Sequence, residues 1–256
     1  MQPLSHTVPI MLLSMLATFE VAVPQAVAAD EYVVISAAPP THDLPPGKLL
    51  TARDVIDVPA GTSVVLLGED GSINPINGPA TFVVVADALR SRDTADPASA
   101  NTSTISLIAQ LLANERDKTE IVGGSRNPAD VFNEGRFLDP WSIPIEESAP
   151  GCIRDRELIL ERQRTEHGLM FSVRFDDRPA VTRLIWSAGE AIYSLDEPIP
   201  HGAKELSVEA SGTSTRIEIK MAPAGIDLDN PVELLGWMIT SGCTRQALAS
   251  IRQIAH

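Results

Sequence analysis

Short apolar runs separated by turn residues fill the first third of the chain. Val, Ile and Leu dominate residues 32–35, 55–58, 63–67 and 81–85, and Pro-Pro-Gly, Pro-Ala-Gly, Glu-Asp-Gly and Asn-Gly-Pro steps lie between or beside them. Strands of four to six residues bounded by such turns are typical of a small antiparallel sheet. The pattern therefore predicts a β module over residues 30–90, with Asp70 and Gly71 at the tip of a hairpin.

A second group of strand patterns follows after residue 140. Strand-like runs cover residues 157–161, 170–175, 181–186, 191–195, 205–209 and 215–220, and apolar and polar residues alternate in several of them. Phe171, Val173 and Phe175 share one face of their run, while Ser172 and Arg174 take the other. This many short strands in one segment predicts an immunoglobulin-like β-sandwich within residues 140–256, with Trp186 in its core.

The segment between these units, residues 91–139, begins as a polar stretch and reads as a linker. A helix is predicted within it at about residues 103–116, since Ser103 or Thr104 can cap it. Ile105, Ile108 and Leu112 recur at helical spacing to form an apolar stripe. We expect this stripe to dock on a domain of its own chain rather than on a partner helix.

The C-terminal region changes to a helical period. Asn230, Pro231 and Glu233 supply a cap, a first-turn proline and a capping-box acid. One helix is predicted from there to the Ser241-Gly242 step, and a second over residues 244–254. The chain is thus predicted to be mainly β, with a small N-terminal β module, a linker with one helix, an immunoglobulin-like β-sandwich and a helical C-terminal tail.

The glycines and apolar residues of the first module follow a recognisable order. The pattern runs Gly47, Leu50, Asp54, Ile56, Val58, Gly61, Val64, Leu66, then Asp70-Gly71-Ser-Ile73. This stretch resembles the β module of FecR-type periplasmic proteins, which relay a signal from an outer-membrane receptor to a cytoplasmic sigma factor across a single membrane helix. The resemblance implies a periplasmic β module that acts by interaction.

The N-terminal residues are typical of an export signal. An apolar run covers residues 8–19, and the small residues 26–29 suit a signal peptidase, so residues 1–29 are predicted to be a cleaved signal peptide. Glu20 ends the run before it reaches the length of a membrane span. In a periplasmic or secreted protein, Cys152 and Cys243 are expected to form one disulfide. Closing so long a loop is worth roughly 4–5 kcal/mol in the chain-entropy model.

The charge balance excludes two kinds of partner. The sequence has 34 acidic and 20 basic residues, a formal net charge of -14. Nucleic-acid binding needs clustered cations, and anionic lipid surfaces repel an acidic protein. We therefore expect neither nucleic acid nor a membrane surface as a partner.

No catalytic, cofactor-binding or metal-binding residue is predicted from the sequence. The sequence has no Gly-x-Ser-x-Gly elbow, His-Glu-x-x-His helix or phosphate loop, and the histidines are scattered. Asp227 and Asp229 resemble the start of a calcium loop, but the later Gly and Glu are missing, so helix capping is the better interpretation. Asp176 and Asp177 are interpreted as a hairpin tip.

One charged stretch, residues 154–164, alternates Arg with acidic residues. The alternation favours a solvated strand face over a polyanion site. A pair of carboxylates for glycoside hydrolysis stays an open alternative. A chain this acidic also contains many pairs of carboxylates by chance.

These observations favour an exported periplasmic protein-binding or scaffold module of the bacterial cell envelope, without catalytic activity. Its expected partner is an envelope protein that binds an exposed edge strand or apolar patch. One alternative is a secreted hydrolase with a carboxylate-based site at the domain junction and a carboxylate of raised pKa in a cleft. Another is a sensory relay subunit related to FecR-type regulators.

Overall fold

The computed structural model describes residues 31–84, 103–121 and 139–255. The predicted signal peptide and most of the predicted linker outside its helix lie outside these residues. Within them, six strands, one helix, eight strands and two helices follow one another along the chain. No helix in these ranges is long and apolar enough to cross a membrane.

The N-terminal module consists of a four-stranded antiparallel sheet and a separate two-stranded ribbon. The strands are β1 (Glu31–Ala38), β2 (Leu49–Thr51), β3 (Val55–Val58), β4 (Ser63–Gly68), β5 (Ile73–Asn77) and β6 (Ala80–Val83). The sheet has the order β2-β1-β4-β5, and β3 pairs with β6 in the ribbon. The predicted hairpin is confirmed: β4 and β5 pair around the turn, where Gly71 adopts a φ of 86°.

Both faces of the four-stranded sheet are buried. Val34 on β1 and Leu66 on β4 pack toward the ribbon, in one core. Val33 on β1 and Leu67 on β4 point the other way, into a second core formed with the helices. Two buried faces explain why these strands are continuous apolar runs rather than alternating ones.

Three helices cover the second face of this sheet: α1 (Thr104–Ile121), α2 (Pro231–Thr240) and α3 (Thr244–Ile254). The stripe predicted on α1 is buried against its own chain, as expected, although the helix continues beyond residue 116. Gly47 lets α1 approach the sheet: a Cβ there would lie 2.9 Å from the Ala109 carbonyl oxygen. The C-terminal helices therefore complete the core of the N-terminal sheet, a long-range packing that their own sequence does not predict.

The sandwich is built from eight strands in two sheets. They are β7 (Ser142–Pro144), β8 (Gly151–Ile153), β9 (Ile159–Glu161), β10 (Leu169–Phe175), β11 (Val181–Trp186), β12 (Ile192–Ser194), β13 (Glu205–Ala210) and β14 (Thr213–Met221). One sheet has the order β11-β10-β13-β14-β8, and the other β12-β9-β7. Side chains of both sheets form one core around Trp186, so the predicted fold class is confirmed. Two strand pairs, β14 with β8 and β7 with β9, are parallel, which alternation alone cannot predict.

Strand β8 joins the two halves of the molecule. The Cys152 side chain belongs to the core formed by the helices, whereas Ile153 belongs to the sandwich core. Successive residues of a strand point to opposite faces. One short strand therefore contributes to both cores. The predicted domain boundaries stay predictions.

Candidate functional site

The two edges of the five-stranded sheet differ, and helix α3 covers one of them. Cys152 on edge strand β8 forms a disulfide with Cys243, the residue before α3. The buried Gln246 side chain accepts a hydrogen bond from the Cys152 backbone N–H (2.7 Å) and donates one to its carbonyl (2.9 Å). Gln246 thus occupies the hydrogen-bonding groups that a further strand would use.

The opposite edge, strand β11, pairs only with β10 among the described strands. Its outward side carries Ile185, whose exposed fraction is 69%, and Ile185 lies directly across from Met170, which is 67% exposed. Cross-strand neighbours on one face have Cβ atoms about 5 Å apart. The two side chains therefore form a continuous apolar surface beside an open strand edge.

A shallow groove of about 550 Å³ begins at Met170 of this pair. Met170, Ser172, Arg183, Glu209 and Ser214 are among the residues that line it. Hydroxyl groups and one charge of each sign accompany the apolar methionine. Such a mixture suits a binding surface more than a closed reaction pocket.

A bulge shapes the first half of the open edge. The register between β10 and β11 shifts between Phe171 and Val173, and Arg183 adopts a φ of 62° at the shift. Bulges on edge strands interrupt pairing with other chains. The regular part of the open edge is therefore Leu184–Trp186, centred on the exposed Ile185.

The prediction that the charged side chains of residues 154–164 form a solvated face is wrong for Glu161 and Arg162. Arg162 is only 4% exposed, and its guanidinium lies 5.0 Å from the centre of the Trp186 ring. It donates hydrogen bonds to the carbonyl oxygens of Glu190 (3.0 Å), His167 (2.9 Å) and Ser187 (2.6 Å). Arg162 therefore ties together two of the connections that cross between the sandwich sheets, those after β9 and after β11, a position that charge alternation along the sequence does not reveal.

Glu161, the neighbouring acid, is also buried, with 5% of its surface exposed. The Ser142 hydroxyl lies 2.5 Å from its carboxylate. Burial raises the pKa of Glu161, against the opposing effects of the Ser142 hydrogen bond and the positive charge of Arg245 on α3. Nearby Glu146 and Asp139 raise that pKa further.

The position of Glu161 does not favour the hydrolase alternative. That alternative requires a carboxylate of raised pKa that faces a cleft. Glu161 has the raised pKa, but it lines neither the groove beside Met170 nor a second groove of about 450 Å³ between α1 and the C-terminal helices. The carboxylate is covered, and its contacts are those of a structural group.

Replacing Glu161 with Gln is expected to stabilise the protein at neutral pH by about 1 kcal/mol, because a buried charge is removed while the acceptor for Ser142 remains. A carboxyl group with a raised pKa binds more protons when folded than when unfolded, so the parent loses stability as pH rises through that pKa. Denaturant unfolding between about pH 4 and about pH 8 should show that loss in the parent and not in Glu161→Gln.

The exposed Glu166 provides the matched control, and Glu166→Gln should follow the parent at every pH. Equal stability of Glu161→Gln and the parent at neutral pH would contradict the assignment of Glu161 as a buried, destabilising charge.

The other acidic motifs are structural in the described residues. Asn230 caps α2 by accepting hydrogen bonds from the N–H groups of Val232 and Glu233, which confirms the capping interpretation. The Glu233 carboxylate accepts a bond from the Asp227 N–H rather than from the cap residue. Asp176 lies in the turn between β10 and β11, as predicted, and its carboxylate accepts bonds from two backbone N–H groups before and at the start of β13.

The described part of the chain holds no group of His, Cys, Asp and Glu side chains arranged for a metal ion. Its chemistry is that of an open strand edge, an exposed apolar pair and a shallow polar groove. No family model, curated protein or solved structure matches the chain.

Proposed function

We propose that this chain is an exported periplasmic module of the bacterial cell envelope that binds another protein and catalyses no reaction. The observation that carries the proposal is the pair Met170 and Ile185, both exposed by more than half, beside the open edge of β11. A folded protein rarely leaves large apolar side chains exposed next to an unpaired edge unless the surface is used.

Four further observations support this proposal. The Cys152–Cys243 disulfide suits an oxidising compartment, and the N-terminal export pattern and the resemblance to FecR-type modules favour the periplasm. The opposite sheet edge is closed by Gln246 and the disulfide, so the sheet offers a single open edge among the residues described.

The test is photo-crosslinking in the cells that naturally produce the protein. The photoreactive residue p-benzoyl-phenylalanine replaces Ile185 in one strain and Glu69, an exposed residue of the β4–β5 turn, in the matched control. We expect one reproducible protein adduct from position 185 in the periplasmic fraction. Adding Met170→Lys should lower its yield by about tenfold, because a charge in the apolar contact opposes docking.

An absence of any adduct at position 185 above that at position 69 would refute the docking surface. Recovery of the chain from the cytoplasm alone would refute the export proposal separately. An adduct with an inner-membrane signalling protein would favour the sensory relay alternative.

A further inference from the structure

Two arginines lie near the apolar pair, and their charge bears on the chemistry of a partner. Arg174 and Arg183 are exposed, and neither makes an ion pair with a described residue. Arg183 lines the same groove as Met170, and Arg174 lies on the same face of β10 as Met170, about 13 Å further along the strand. In a chain with a net charge of -14, these two arginines place positive charge beside an apolar surface.

Other cations on this face are already neutralised. Arg216 on β14 pairs with Glu205 at 3.0 Å, and Lys220 pairs with Glu218 at 2.5 Å. Glu209 lines the groove from the β13 side, across from Ser172. The unpaired positive charge is therefore concentrated on β10 and β11, next to the open edge.

The open edge indicates how a partner would bind. Strand addition supplies backbone hydrogen bonds to an unpaired edge, and alternate side chains of the added strand then lie beside those of the edge strand. The regular stretch Leu184–Trp186 presents Ile185 outward, and Arg183 precedes it at the bulge. An added strand would place one apolar side chain near Ile185 and an acidic side chain near Arg183.

We propose, resting on the proposed function, that the partner docks as an extended segment added to the edge of β11, with apolar residues and acidic residues on the same face of the segment. The apolar residues pack on Ile185 and Met170, and the acidic residues pair with Arg183 and Arg174. A second copy of this chain is a poorer occupant, since it would bring the same arginines to the same surface and the same overall negative charge.

A designed peptide tests this chemistry directly. The probe is a fluorescein-labelled, C-amidated nine-residue peptide that alternates Thr with two Val and two Asp, and the matched control carries Lys in place of both Asp. Fluorescence anisotropy at low salt should show a Kd in the range of about 10–100 μM for the acidic probe. Binding of the Lys control should be at least about tenfold weaker.

Two variants extend the test. Arg183→Glu is expected to invert the preference between the Asp and Lys peptides, and Ile185→Lys to abolish binding of both. Both positions are exposed, so thermal unfolding should match the parent. The acidic peptide should also slow amide hydrogen exchange at Leu184–Trp186.

The outcomes separate the two proposals. Equal binding of the Asp and Lys peptides, or protection away from β11, overturns this inference even if crosslinking at position 185 succeeds. Concentration-dependent dimers in sedimentation that disappear in Ile185→Lys would make a second copy the occupant and likewise overturn it. Failure of crosslinking at position 185, by contrast, refutes the proposed function.

Discussion

Replacing Arg162 with Ala is expected to lower the free energy of unfolding by about 3–5 kcal/mol. The guanidinium donates to three carbonyl oxygens on two connections of the sandwich, and those acceptors lose their partners in the variant. His167, Ser187 and Glu190 are themselves exposed, so water partly replaces the lost donors, and each lost hydrogen bond costs about 0.5–1.5 kcal/mol. The contact with the fully buried Trp186 ring is lost as well.

Thermal and denaturant unfolding measure this effect, and a loss of that size corresponds to a fall in Tm of about 6–20 °C. Arg164, two residues away, is exposed, so Arg164→Ala should change stability by less than about 0.5 kcal/mol. Arg162→Lys retains the charge but not the planar set of donors, so its stability should fall between the parent and Arg162→Ala. Similar stabilities for Arg162→Ala and Arg164→Ala would show that the hydrogen bonds of Arg162 do not stabilise the sandwich.

Removing the disulfide with the double substitution Cys152→Ala and Cys243→Ala should cost about 2–5 kcal/mol of folding stability. The bond joins residues separated by 91 positions, so it restricts a long loop of the unfolded chain. It also joins sandwich strand β8 to the helices of the N-terminal core, and both cysteines are buried in that core. Its loss should therefore weaken the packing at the junction and also raise the conformational entropy of the unfolded chain.

Denaturant unfolding with and without a reductant checks this prediction. The oxidised parent should be more stable than the double variant, and complete reduction should bring the parent close to it. The double variant itself should not respond to reductant. A difference below about 1 kcal/mol between the oxidised parent and the double variant would contradict a stabilising role.

The sequence predicts the individual elements well where their signals are local. The helix starting beside Asn230 follows from a cap, a first-turn proline and an acid within four residues, and α2 begins at Pro231. The alternation of Phe171, Val173 and Phe175 likewise predicts the buried face of β10. Neighbouring residues determine such patterns, because helix and strand geometry repeats over a few residues.

The candidate site was only partly predictable. An open edge or apolar patch was expected for a binding module, but nothing in the run 181–186 distinguishes an edge strand from a central one. Ile185 lies between the apolar residues Leu184 and Trp186. Three apolar residues in a row are equally typical of a central strand that is buried on both faces. The exposure of Ile185 follows from its place on the sheet face opposite the sandwich core, where Met170 of the neighbouring strand β10 is exposed as well.

Burial of charge was the main error of the sequence interpretation. Alternating charges around Glu161 and Arg162 are typical of a solvated strand face, yet both side chains lie inside. Their partners, such as Ser142 and the carbonyl of Glu190, come from other connections of the sandwich. A pattern along one segment contains no information about acceptors that the fold brings to it.

The sequence by itself determined the mainly β class, the capped helix α2 and the helix after it, the hairpin turns and the pair of cysteines, since each depends on local periodicity, turn chemistry or composition. Only the tertiary structure decided that the C-terminal helices pack on the N-terminal sheet, that β8 serves both cores, and that one sheet edge is closed by Gln246 while the other is open. These features depend on contacts between residues far apart in the chain. Such contacts are selected by the fit of whole surfaces, which no single segment encodes.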